Sequence, residues 1–168
     1  LLVLGHGAGA DMRSASMQNI AEALAEQQIA TFRYNFPFKE NGRGGVDSPK
    51  VATATVRAAV AEARRLEPKM TLLAGGHSFG GRMTTTAQSA SPLDGVTGLV
   101  LFSFPLHAPN QPGDSRAEHL NAIKIPMLFL TGTRDALNDL ILFRPVIEKL
   151  GNTATLHTIE TGDHSYKT

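Results

Sequence analysis

Short apolar runs alternate with amphipathic stretches from one end of the chain to the other, and this alternation narrows the fold more than any other feature. The runs are Leu1 to Leu4, Ala30 to Asn35, Met70 to Ala74, Val96 to Phe104, Pro126 to Thr131 and Thr153 to Ile159. Most are short, β-branched or Leu-rich and bounded by Gly or Pro, which reads as buried strands. Between the first two, Met17, Ile20, Ala21 and Leu24 fall at i, i+3, i+4 and i+7, one apolar stripe on a helix that Ser14 or Ser16 can cap. Val56, Ala59, Val60 and Ala63 repeat the spacing in a helix that starts at Ser48 with Pro49 in its first turn and ends before Pro68. Further helices are expected just after Ser78, over Ser115 to Ile123, and over Asn138 to Leu150, where Pro145 should kink or restart the helix and Gly151 should stop it. The alternation never breaks into two blocks. It predicts an α/β fold in three layers, with a mostly parallel, doubly wound six-stranded sheet, and one domain over residues 1–168.

Composition removes several function classes. Hydrophobic residues are 42% and charged residues 18% of the 168, far from the signature of disorder. Net charge is +1 and the Lys and Arg residues are scattered among Asp and Glu, so no basic face exists to displace counterions and nucleic acid is not expected as a partner. With no cysteine, the chain has no disulfide framework, no thiolate nucleophile and no Cys-ligated zinc. No apolar run approaches the roughly 20 residues that a membrane-spanning helix needs. A soluble, cytoplasmic protein is the starting expectation, and it is only a default because the sequence opens at Leu1 rather than Met.

In parallel sheets ligands sit at the carboxyl ends of the strands, where the longest loop, Phe36 to Ser48, and the shorter Pro105 to Asp114 stretch both begin. The reactive group suggested by the sequence lies at a third such end. A Ser hydroxyl is a poor nucleophile at neutral pH and needs a base for its proton and donors for the charge that develops on the attacked carbonyl. Gly76-His77-Ser78-Phe79-Gly80 fits the G-x-S-x-G elbow, a sharp strand-to-helix turn whose glycines leave room for a strained Ser. The bland alternative is a glycine-rich turn. The apolar run before Ser78 and the breaker-free Arg82 to Gln88 after it favour the elbow. The second glycine-rich stretch, Gly5-His6-Gly7-Ala8-Gly9-Ala10, has neither the Gly-Lys-Ser/Thr of a phosphate loop nor the third glycine of a dinucleotide fingerprint.

At this point the chain resembles the α/β-hydrolase superfamily, whose nucleophile, acid and His follow in that order. The resemblance implies Ser78 as nucleophile, Asp135 in Thr131-Gly132-Thr133-Arg134-Asp135 as the acid, and His164 in Gly162-Asp163-His164-Ser165 as the base. Asp139 is the rival for the acid. His157 and His119 fall inside an expected strand and helix, and Asp163 reads as a loop-former. The family's oxyanion hole maps to the backbone amides of Ala8 and Phe79, with His6 and His77 orienting backbone around the site rather than reacting. The segments Gly5-His6-Gly7-Ala8-Gly9, Arg33-Tyr34-Asn35-Phe36-Pro37, Gly80-Gly81-Arg82-Met83, Phe104-Pro105-Leu106-His107 and Gly132-Thr133-Arg134-Asp135 look like the branch related to testis-expressed protein 30 and the dienelactone-hydrolase-like groups. Dienelactone hydrolases use Cys at the elbow, whereas this chain has Ser. The resemblance implies strand order 2-1-3-4-5-6. The antiparallel pair that opens the family's fold and the helix that closes it have no counterpart in these residues, so a minimal core or a trimmed one is expected. About ten residues stand at the usual lid position. That leaves a shallow, lidless site lined by Phe36, Phe38, Leu106 and His107 if the flanking loops fold over it.

The activity that follows is that of an esterase or thioesterase, acting on a small-molecule substrate with a small or exposed acyl group through an acyl-serine intermediate. No metal or organic cofactor is implied. Two other classes stand beside it: a non-catalytic interaction module on the same fold, and a peptidase or C–C hydrolase on the same triad. Oligomeric state is not readable from the sequence.

Overall fold

Strands and helices alternate along the whole computed structural model, which describes residues 1–168. The strands are β1 (Leu2–Gly5), β2 (Thr31–Tyr34), β3 (Leu72–His77), β4 (Val96–Phe102), β5 (Met127–Gly132) and β6 (Ala154–Ile159). The α-helices are α1 (Ala15–Glu26), α2 (Pro37–Glu40), α3 (Pro49–Leu66), α4 (Phe79–Ala90) and α5 (Leu140–Leu150). Strand order is β2-β1-β3-β4-β5-β6, as expected, and every pairing is parallel. The element carrying Ser78 therefore follows a central strand.

The two-residue period of the strands sorts their side chains onto two faces. Val3, Leu72, Ala74, Leu99, Leu101, Met127 and Phe129 belong to the large core, with the buried stripe Val56, Ala59, Val60 and Ala63 of α3, Met83 and Ala87 of α4, and Phe143 of α5. Phe104, Phe129 and Phe143 pack on one another there, with centroids 5.2 to 6.2 Å apart. Leu2, Leu4 and Phe102 point the other way, against Met17 of α1.

Local chemistry agrees with the sequence in most places and departs from it in a few. Ser48 caps α3 by accepting from Val51 N, with Pro49 at its first position. Ser14 sits at the N-cap of α1 but turns its hydroxyl back to Asp11 O (2.9 Å) and makes no cap bond. The expected helix over Ser115 to Ile123 is a 3-10 helix, Ser115–Ala122. α5 begins at Leu140 rather than Asn138, because Asp139 accepts from Ile141 N and so caps it, while the Asn138 amide is held by Phe104 O. It runs through Pro145 without restarting, and Gly151 at φ 59° ends it. The Phe36 to Ser48 stretch is not all loop, since α2 forms within it.

Gly80 shows how tightly α4 is seated on β1. A Cβ there would lie 2.4 Å from both the carbonyl carbon and oxygen of Gly5 and 2.8 Å from His6 O, and backbone atoms cannot turn aside. Overpacking of this kind costs about 3 kcal/mol, against about 1 kcal/mol gained in helix propensity. Gly80→Ala is expected to lower the thermal midpoint by roughly 5 °C, at about 2–4 °C per kcal/mol for a chain this size. Gly9→Ala, where a Cβ would meet nothing within 4 Å, should leave it unchanged in the same calorimetric comparison.

Candidate active site

Ser78 occupies the one residue between β3 and α4, with φ 51° and ψ −113°. A non-glycine residue in that region stores about 1–3 kcal/mol of strain, and the surroundings hold it there. Ser78 N donates to Phe102 O, and Arg82 N to Ser78 O, so strand and helix grip it from both sides. The strand reaches three residues further than the sequence suggested, through Gly75-Gly76-His77. Glycine is a poor strand former, yet here it is required. A Cβ on Gly75 would fall 1.8 Å from Val100 O of β4, and one on Gly76 would fall 2.5 Å from Gly5 O of β1.

Asp135 and His164 come from the ends of β5 and β6. A Cβ on Gly132 would meet Gly162 O at 2.1 Å, so the loops after these strands lie against each other. Arg134 N donates to Gly162 O, its Nε to Thr161 O, and Thr161 N to Thr133 Oγ1. Asp163 is a loop-former as expected, its Oδ1 accepting from Ser165 N and Lys167 N, bonds that hold its carboxyl below the usual range.

This frame brings Ser78, His164 and Asp135 into one hydrogen-bonded line. His164 Nδ1 lies 2.8 and 2.9 Å from the two carboxylate oxygens of Asp135, and Nε2 lies 2.8 Å from Ser78 Oγ. A carboxylate can only accept, so Nδ1 carries the proton and Nε2 is left to accept from the hydroxyl. Asp135 is 5% exposed, and Leu137 N donates to its Oδ1 as well. Asp139 makes no such contact, being engaged at the N-terminus of α5. His157 stays in β6, and His119 in the 3-10 helix, where it meets Thr85 Oγ1.

Around Ser78 is a cavity of about 400 Å³, formed by the Gly7 to Ala10 backbone with Ser16, His77, Leu137, His164 and Ser165. Ala8 is on its wall, and Phe79 opens α4, where the first amides of a helix have no partner within it. His6 is fully buried, and burial pushes its pKa down and keeps the ring neutral. Its Nδ1 donates to Gly7 O, and its Nε2 accepts from Phe36 N, so it ties the first glycine loop to the end of β2.

The four side chains expected to line the site do not. Phe36, Phe38 and Leu106 are within 2% of complete burial in the main core, and none borders the cavity at Ser78. Phe36 and Phe38 pack edge-on to Phe79 and His6, so they support the elbow from beneath. His107 lines a neighbouring depression with Asp135 and Asp139 rather than the cavity at Ser78, its Nδ1 donating to Ala108 O. The residues that do line the cavity, Ser16, Leu137 and Ser165, carry no motif, and only their closeness to Asp135 or His164 marks two of them. No three His, Asp or Glu side chains converge as a metal site, and no helix is long and apolar enough to cross a membrane.

Comparison with known proteins places the chain in a family and its fold among relatives. A family model described as alpha/beta hydrolase domain matches residues 1–168. Among solved structures, Est1E from Butyrivibrio proteoclasticus with ferulic acid bound superposes with a TM-score of 0.79, at 17% identity over 99% of this chain and 81% of that one. Dienelactone hydrolase from Anabaena variabilis gives 0.79 at 20% identity, over 99% and 77%. An α/β serine hydrolase without lid from Xanthomonas campestris gives 0.75 at 22%, over 98% and 73%. At these identities the likeness to the solved structures is one of fold.

Proposed function

The chain belongs to the α/β-hydrolase family, and we propose that it is a serine hydrolase that cleaves esters or thioesters of small or exposed acyl groups through an acyl-Ser78 intermediate. The observation that carries this reading is the unbroken line from Ser78 Oγ through His164 to Asp135, built on a strained elbow.

The steps follow from the donors and acceptors. Ser78 Oγ attacks the acyl carbonyl carbon as His164 Nε2 takes its proton. Asp135 holds the Nδ1 proton and stabilises the imidazolium that forms. The amides of Ala8 and Phe79 receive the carbonyl oxygen as it becomes an oxyanion, a contribution of about 3–4 kcal/mol per donor where it has been measured in other enzymes. Collapse of the tetrahedral species breaks the bond to the alcohol or thiol, which leaves with the proton from His164. Water, deprotonated by the same nitrogen, then attacks the acyl-enzyme and frees the acid and Ser78. The twelve or so residues between β4 and the 3-10 helix carry no lid, so the cavity opens to solvent and suits acyl groups that need little enclosure. The names of Est1E, with ferulic acid bound, and of dienelactone hydrolase are in keeping with carboxylic ester chemistry.

Treatment with a fluorophosphonate probe is expected to add one mass equivalent, mapped by peptide sequencing to Ser78. An unmodified protein, or an adduct on another residue, would overturn the proposal. Turnover across a panel of esters, thioesters and peptides then separates esterase from peptidase chemistry.

A further inference from the structure

The stretch that carries His164 is neither helix nor strand from Glu160 to Thr168. Its two ends are anchored. Arg134 and Thr133 hold Thr161 and Gly162 on one side, and Tyr166 Oη donates to Leu130 O (2.9 Å) on the other. Between these anchors, one hydrogen bond reaches the backbone of His164 itself: His77 Nε2–H donates to His164 O at 2.9 Å. Because a carbonyl accepts only, the bond fixes the His77 tautomer, and burial lowers the pKa of that ring and keeps it neutral.

We propose that His77 is the positioning residue for His164, and that the elbow holds the base at two points: Ser78 Oγ at the ring and His77 Nε2–H at the backbone. The inference rests on the hydrolytic reading of Ser78 and adds to it a reason for His in the second position of the motif. The two rings lie 5.3 Å apart, and Tyr166 packs edge-on to His77 at 6.4 Å, so the bond is braced from the side. Gly7 belongs to the same arrangement, since a Cβ there would lie 3.0 Å from His77 Nδ1. Base loop, elbow and first glycine loop therefore meet on one imidazole. Without its bond, the turn from Asp163 to Lys167 keeps its internal bonds but is tied to the rest of the chain only at Gly162 and Tyr166, two residues to either side of His164, and can shift between them. A displacement of about 1 Å in a reacting group is enough to lower a rate roughly 100-fold.

The test compares two amides in the full chain. His77→Gln can place its side-chain NH2 near the position of Nε2 and keep the donor, whereas His77→Asn is too short to reach His164 O. Fluorophosphonate labelling is expected to proceed near the wild-type rate in His77→Gln and about 10- to 100-fold more slowly in His77→Asn. In proton NMR, the far-downfield resonance of the His164 Nδ1 proton, bonded to Asp135, should persist in the first and broaden or vanish in the second. A merely structural role would not sort the two amides in this way. Equal labelling rates in the two variants, with that resonance intact in both, would overturn the inference. If wild type takes up no probe, the hydrolytic reading falls while the resonance still decides the positioning role. Should His77→Asn not fold, His77→Phe replaces it, keeping the ring packing against Tyr166 and losing the donor.

Discussion

Replacing Ser78 by Ala is expected to lower kcat, for whichever ester or thioester the panel identifies, by about 10⁶, with His164→Ala close behind and the double variant no slower than either alone. The reason is geometric. Ser78 Oγ and His164 Nε2 stand 2.8 Å apart and, in the proposed mechanism, act in the same proton transfer, so removing either removes the whole step. On the proposed mechanism, what survives is catalysis by the amides of Ala8 and Phe79 and by binding, roughly 10³-fold over water in enzymes that share this constellation. Steady-state kinetics on the three variants decides the matter. Losses that multiply in the double variant would mean that the two residues act independently, which the shared hydrogen bond does not allow. A Ser78→Ala rate within tenfold of wild type would remove Ser78 from the chemistry altogether.

Much of this site was legible in the sequence because a few positions allow few residue types. Gly76 and Gly80 were readable as the glycines of an elbow, and the structure shows why they are glycine: each backbone lies against that of β1. The six strands were legible because apolar runs bounded by Gly or Pro leave little choice of state, and their order followed from the family resemblance. The end of β3 was not, since Gly75 and Gly76 satisfy close approach to their neighbours at the expense of strand propensity, and a pattern reading sees only the propensity. Nor were Phe36 and Phe38 assigned correctly. Their place in a loop at the carboxyl end of β2 suggested a rim, but three-dimensional contacts with His6 and Phe79 turn them into the core, a relation that no local spacing encodes. The bond from His77 to His164 O joins residues 87 apart in the chain, and only folding reveals it.

The choice between Asp135 and Asp139 was open in the sequence for a similar reason, since both follow β5 within seven residues of its end. The geometry separates them and leads to a second large effect. In Asp135→Asn one carboxylate oxygen becomes an NH2 group, at a position 2.8 to 2.9 Å from His164 Nδ1. If the remaining oxygen keeps its bond from Leu137 N, that NH2 faces Nδ1. It can only donate, so the pairing that favoured a proton on Nδ1 is weakened, although Oδ1 stays 2.8 Å away, and the ring shifts toward the tautomer with its proton on Nε2. A protonated Nε2 pointed at Ser78 Oγ cannot act as the base, and a loss of about 10⁴ in kcat is expected, as for the equivalent change in other serine hydrolases. Asp139→Asn makes the same chemical change four residues later, at a helix N-cap where Asn serves as well as Asp, so neither rate nor thermal midpoint should move. Asp139→Ala separates the two roles further, costing about 1 kcal/mol of stability with the rate retained. If Asp139→Asn slowed turnover as much as Asp135→Asn, the pairing at His164 would have to exchange between the two carboxylates during the reaction. The bond from Asp139 to Ile141 N would then break in every cycle, and α5 would lose its cap each time.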